Sequence, residues 1–240
     1  MKRRHTPREV LPAPISKALP AAPYWFVIGG HAVRCFCPYR PSRDVDFGVT
    51  NAKSSRELLE QLRSKGKVET RERSKDTVHL TFDGIDVSIF VLPQLARHVD
   101  DRALSLDGVL ATKLHAILDR GTRRDFFDLY VMLQQHRLGI VECLRAIREV
   151  YETEVNDGLV LRALTYFDDA EAEAPLPGEG RQDWASVKAF FVASAGALLL
   201  PPQRELAIQA LTVDVIPSSS RAERQPGQRR RTKAKRSKRP

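Results

Sequence analysis

Three cysteines in 240 residues are too few, and too oddly spaced, for a disulfide framework or a paired zinc site. Cys35, Cys37 and Cys143 make an odd count, which fits a reducing cytoplasm. No apolar run approaches the roughly 20 residues that cross a bilayer, and the Met1-Lys-Arg-Arg opening leads into prolines rather than an apolar leader. The expectation is a cytoplasmic protein with no membrane segment. Internal repeats are also lacking. Net charge is missing from most of the chain: Arg221 onward holds ten of the 39 Lys and Arg and one of the 30 Asp and Glu, leaving 29 of each sign before it. The formal charge of +9 therefore belongs to the tail. With no aromatic or large apolar side chain to bury, RAERQPGQRRRTKAKRSKRP is expected to be disordered. Such a tail attracts RNA or DNA through phosphate contacts without reading sequence, or serves as a solubilising appendage.

What is present centres on WFVIGGHAVRCFCPYRPSRDVDFGVT, residues 25–50. A short apolar strand ends in Gly29-Gly30, a short helix follows, and an alternating run carries Asp44 and Asp46. Two carboxylates one residue apart on a strand share a face and repel, so each raises the other's pKa unless a cation lies between them. A hard divalent metal is the usual neutraliser. The glycines, lacking Cβ, let a phosphate approach the N–H groups that open the next helix. His31, Cys35 and Cys37 form an alternative soft-metal set, although His31 and Cys35 at i, i+4 read more simply as a packed helix face.

The order strand, Gly-Gly, helix, Asp-x-Asp resembles the nucleotidyltransferase superfamily that includes DNA polymerase β and the CCA-adding enzymes. KLHAILDR at 113–120 and RRDFFDLY at 123–130 narrow the resemblance to the AbiEii/AbiGii toxin family, over roughly Tyr24 to Phe167. It implies an α+β fold: a polymerase β-like mixed sheet flanked by helices, a C-terminal helical bundle and the disordered basic tail. The expected organisation is a basic, proline-rich segment (1–22), a nucleotidyltransferase core (23–100), a helical domain completing the active site (101–200), and a linker with the tail (201–240). By the same resemblance Ser42, two before Asp44, contacts nucleotide phosphates, and Asp125 of the R-D-x-x-D motif joins Lys113 in the active site.

Along the chain, four prolines among residues 12–23 leave room for one docked turn or short helix. Ser54 or Ser55 is the expected cap of a helix carrying Leu58, Leu59 and Leu62. Three strands follow, at 67–73, 77–82 and 85–92, the last two joined by Asp83-Gly84. On the last strand Asp86 opens the polar face and is the candidate third carboxylate; Asp83 is its rival, with a turn to explain it. Ser105 caps a helix whose stripe is Leu110, Leu114, Ile117 and Leu118, with Lys113 half-buried at its edge and Arg120 two turns above. Lys113 either serves a phosphate or snorkels to solvent. The next helix, 124–135, is apolar nearly all round, so Asp125 and Asp128 need cations; Arg124 is the expected partner of Asp128. Arg40 and Ser42 bind nucleotide or cap a turn.

The reading is a metal-dependent nucleotidyltransferase. Asp44, Asp46 and Asp86 hold Mg²⁺ (or Mn²⁺), Gly29, Gly30, Arg40, Ser42 and Arg120 bind the NTP, and Lys113 and Asp125 complete the catalytic set. By resemblance the acceptor is RNA such as tRNA, and an antitoxin protein is a partner. The rivals are transfer to a small molecule or protein, and a non-catalytic nucleic-acid-binding regulator.

Overall fold

The computed structural model describes residues 4–22, 24–180 and 182–199. The expected basic tail lies outside the described residues. Prolines open rather than abolish the first helices: α1 (Pro7–Val10) and α2 (Ala13–Ala18) each carry proline in the first turn, where its missing N–H costs nothing. The short helix α2 thus stands where one docked turn or short helix was expected, and α1 precedes it. They dock through fully buried Ile15 and through the Arg8 guanidinium, which donates to the Leu19 carbonyl at 3.0 Å.

The chain continues through β1 (Trp25–Val27), α3 (Gly29–Phe36), β2 (Val45–Val49) and α4 (Ala52–Arg63). Asn51, not Ser54 or Ser55, caps α4: its side chain accepts from the Ser54 N–H at 2.9 Å. A serine inside the first turn cannot do this once asparagine precedes it with extended backbone. Next come β3 (Val68–Arg73), β4 (Thr77–Phe82) and β5 (Ile85–Val91), with Asp83 at φ 48° and Gly84 at φ 80° making the tight turn read in the sequence.

A 3-10 helix, Pro93–His98, leads to two-residue strands β6 (Val99–Asp100) and β7 (Ala103–Leu104). All seven strands form one mixed sheet in the order β3-β4-β5-β2-β1-β7-β6, with β2 parallel to β5 and β1 parallel to β7. One apolar core joins the sheet to α1, α2 and α4 through Trp25, Phe47, Leu58 and Leu80. A second gathers the C-terminal helices α5 (Leu106–Asp119), α6 (Arg123–His136), α7 (Ile140–Tyr151), α8 (Asp157–Thr165), α9 (Asp168–Ala172) and α10 (Asp183–Leu199). Ser105 caps α5 as expected, but Leu118 faces solvent and leaves Leu110, Leu114 and Ile117 as its stripe. The short α9 opens the acidic stretch DDAEAEAPLPGEG at 168–180.

Candidate active site

The turn from β1 into α3 brings backbone against carboxylate. Gly29 has φ 60°, and a Cβ there would lie 2.5 Å from Asp46 Oδ2; at Gly30 it would lie 2.5 Å from Ser42 Oγ. Only glycine fits, so the α3 N-terminus stands directly against the Asp46 carboxylate and the Ser42 hydroxyl. Ser42 also donates to the Asp44 carbonyl at 3.3 Å, so the turn-forming and the ligand-facing readings of this residue coexist. His31 and Cys35 are buried, as expected of a packed face. Burial lowers the His31 pKa to about 4 and pushes the Cys35 thiol up to about 11. Both are therefore neutral near pH 7.

The sheet register sets the floor. Asp46 lies beside Ser88 of β5, Ser88 opposes His79 of β4, and His79 opposes Glu72 of β3, so all four share one face. Asp86 is on that face too, two residues toward the end where Asp44 enters β2, and its exposed carboxylate pairs with Arg71 at 2.7 Å. Asp44 meets Arg124 Nη1 at 3.3 Å. Arg124 is therefore not the partner of Asp128. The Asp46 carboxylate has no hydrogen-bond or ion-pair partner among the described residues, and its pKa is raised, chiefly by burial, with the Asp44 charge adding to it against the pull of Lys113, Arg124 and Arg120.

Above the floor, α5 with its cap Arg120, α6, and Arg40 from the segment after α3 form a ladder of five charges. Arg40 grips Asp128 with Nε to Oδ1 at 3.0 Å and Nη2 to Oδ2 at 2.8 Å. Lys113 Nζ reaches Asp128 Oδ2 at 2.6 Å and Asp125 Oδ1 at 3.2 Å. Arg120 closes the row with Nε to Asp125 Oδ2 at 2.9 Å and Nη2 to Oδ1 at 3.2 Å. Tyr39 Oη donates to Asp128 at 2.6 Å and Thr122 Oγ1 donates to Asp125. Burial opposes the charged forms of Asp125 and Asp128, but Lys113 with Arg120, and Lys113 with Arg40, outweigh it and hold both carboxyls below the usual range. The lysine expected to be half-buried is only 5% exposed, because two aspartates wrap it. Three cations against two anions leave one surplus positive charge, displayed by Arg40, Lys113 and Arg120 to the cleft.

These parts line one cleft of about 470 Å³: Gly29, Gly30, Arg40, Ser42, Asp44, Asp46, Asp86, Lys113 and Arg120 all border it. Asp125, fully buried, sits behind the lining and holds Lys113 and Arg120. Arg71, His79, Ser88, Phe90 and Arg124 border the same cleft in addition to the residues expected from the sequence. The strand alternation marks Ser88 and Phe90 as polar-face positions; long-range pairing alone reveals the rest.

A divalent cation fits this chemistry. Asp44 and Asp46 offer hard oxygen donors on one face, and the partnerless Asp46 carboxylate is destabilised by burial and by its neighbour's charge, both of which a cation relieves. Among the described residues no group of three His, Cys, Asp or Glu makes a ready-made metal cage, and Asp86 pairs with Arg71.

Three comparisons bear on the chain. A family model described as nucleotidyl transferase AbiEii toxin, type IV toxin–antitoxin system, matches residues 69–208. That range includes Asp86 and the whole α5–α6 ladder except Arg40, while the glycines, Asp44 and Asp46 precede it. An uncharacterized protein of Aquifex aeolicus (strain VF5) is 27% identical over 176 residues, covering 70% of this chain and 84% of that protein. The crystal structure of a protein from H. pylori, provisionally described as a nucleotidyltransferase, aligns with a TM-score of 0.52 at 16% identity, over 80% of this chain and 92% of that one. At that identity the likeness shows the fold.

Proposed function

Because the chain belongs to the nucleotidyl transferase AbiEii toxin family of type IV toxin–antitoxin systems, we propose that it moves a nucleoside monophosphate from an NTP to an acceptor hydroxyl on RNA, such as tRNA. The observation that carries this reading is the approach of Gly29 and Gly30 to Asp46 and Ser42, which joins a phosphate cradle and a carboxylate pair in one site. The N-terminus of α3, opened by the two glycines, and Ser42 receive the β- and γ-phosphates. Arg40 and Arg120, each fixed by a two-point grip on a buried aspartate, neutralise charge that grows on pyrophosphate without having to reorganise. Lys113 holds the two aspartates apart and adds its charge to the same wall.

Asp44 and Asp46, with Asp86 at the acceptor side, are the residues that would hold two Mg²⁺ (or Mn²⁺) ions, which when bound supply Lewis-acid charge at the α-phosphate and lower the pKa of the attacking hydroxyl. In the transfer the acceptor oxygen bonds to the α-phosphorus while the bond from that phosphorus to the bridging oxygen breaks. Pyrophosphate leaves, and the hydroxyl proton passes to solvent at the open side of the cleft.

The test is to incubate the full chain with each α-³²P-NTP, Mg²⁺ and total tRNA, and to follow label into RNA, protein and soluble products. Label in RNA, dependent on Mg²⁺, is expected. Label only in protein or in a small molecule moves the acceptor to another class, and no label with any NTP removes the reading.

A further inference from the structure

The cleft extends well past the carboxylates, over β4 and β5, and the side chains there have no place in the transfer just described. His79 and Phe90 both lie on the polar face of the sheet and both line the cleft. A phenylalanine left half-buried on a polar face, while Val87 and Ile89 beside it fill the opposite core, contributes nothing to that core. The two rings form an edge-to-face pair with centroids 5.9 Å apart at 83°. Ser88 Oγ and His79 Nδ1 share a hydrogen bond of 2.9 Å, which fixes the imidazole, and Ser88 is the register partner of Asp46. Arg71, at the bulge in β3, stands at the rim beside Asp86. A fixed aromatic shelf thus runs from the carboxylate pair to an arginine at the edge.

Resting on the nucleotidyltransferase reading, we propose that this shelf seats the terminal unpaired nucleotide of a single-stranded RNA acceptor, its base face-on to one ring of the His79–Phe90 pair and edge-on to the other, its phosphate toward Arg71 and its terminal hydroxyl toward Asp46. Single-stranded ends are recognised by stacking on aromatic rings, and stacking tolerates any base because each has a π face. The opposite wall, made of Gly29, Gly30, Ser42 and Arg40, is the phosphate side, so the shelf is the part of the cleft left for the second substrate.

The experiment uses a fluorescent 12-nucleotide single-stranded RNA with a free 3′ hydroxyl, and the same oligonucleotide with an abasic terminal nucleotide. Binding of both to the full chain is measured at one salt concentration, so that contacts elsewhere cancel in the ratio. The wild-type protein should favour the intact terminus by on the order of tenfold. Phe90→Leu, which keeps the apolar volume but removes the ring, should reduce that ratio toward one, as should His79→Gln. Binding of α-³²P-NTP with Mg²⁺ should be unchanged in both variants. Equal binding of intact and abasic RNA by the wild-type chain overturns the shelf, provided Mg²⁺-dependent NTP binding is present. If NTP binding is absent, the failure lies in the nucleotidyltransferase reading instead. Weakened NTP binding in Phe90→Leu with RNA discrimination intact would assign the shelf to the base of the NTP and also overturn the proposal.

Discussion

Lys113 is held by two carboxylates at once, and this decides what its removal does. An ammonium that lay half in water could be truncated with little cost to the fold. Here its Nζ lies between Asp125 and Asp128, both buried, so Lys113→Ala leaves two buried charges without their ammonium, held by the guanidinium groups of Arg40 and Arg120 and the hydroxyls of Tyr39 and Thr122. Breaking a buried pair costs about 3–5 kcal/mol, so urea unfolding of Lys113→Ala should show a loss of that order together with lost transfer. A variant as stable as wild type would show that the ladder carries no stability. Asp125 adds a pH dependence. Its folded carboxyl titrates below the unfolded value of about 3.9, so the folded state binds this proton less readily than the unfolded chain. Its stabilising contribution is fully present above about pH 4 and fades as pH falls through the folded pKa. Between pH 5 and pH 3 the wild type should therefore lose stability more steeply than Asp125→Asn, which has no such proton to take up.

At the scale of elements, the junction of β1 with α3 is the most sensitive point. Gly29→Ala would place a methyl 2.5 Å from Asp46 Oδ2 on backbone at φ 60°. Strain of about 1–3 kcal/mol and a displaced carboxylate should follow, with transfer falling on the order of 100-fold because reacting groups tolerate little misplacement. Asn51→Ala is the contrasting case: it removes the α4 cap, which does not line the cleft, and should cost about 1 kcal/mol in thermal or urea melts with transfer per folded molecule unchanged. Elements with a strong period were legible in the sequence. The strands around Asp83-Gly84 and the helix after Ser105 follow from alternation, turn residues and a cap, all local signals. Strands β6 and β7 were not legible, because two residues carry no period. The α1–α2 pair was hidden by prolines that, out of context, read as breakers. In the site, the Asp44–Asp46 pair and the glycines stood out because their chemistry is written within 18 residues. The grip of Arg40 on Asp128 spans 88 residues, and only the packing of α6 against the segment after α3 creates it.

For the whole molecule, charge divides between a body whose charges balance and a basic tail that holds the excess. Truncation after Ser220 should weaken RNA binding and flatten its salt dependence, each lost phosphate contact removing about 0.7 from the log–log slope on single strands. Mg²⁺-dependent NTP binding should be untouched. An unchanged slope would mean that the tail never meets the nucleic acid. On the proposed reading, the carboxylate beside Gly29 works as a charge for a cation and not as a packing group. The most direct test is single-turnover transfer from α-³²P-NTP by Asp46→Asn, with its melting temperature measured on the same preparation. Asparagine keeps the shape and removes the charge from a partly buried position where burial already disfavours it, so the variant should melt at or slightly above the wild-type temperature while label transfer is abolished. Full Mg²⁺-dependent transfer by Asp46→Asn would contradict the account.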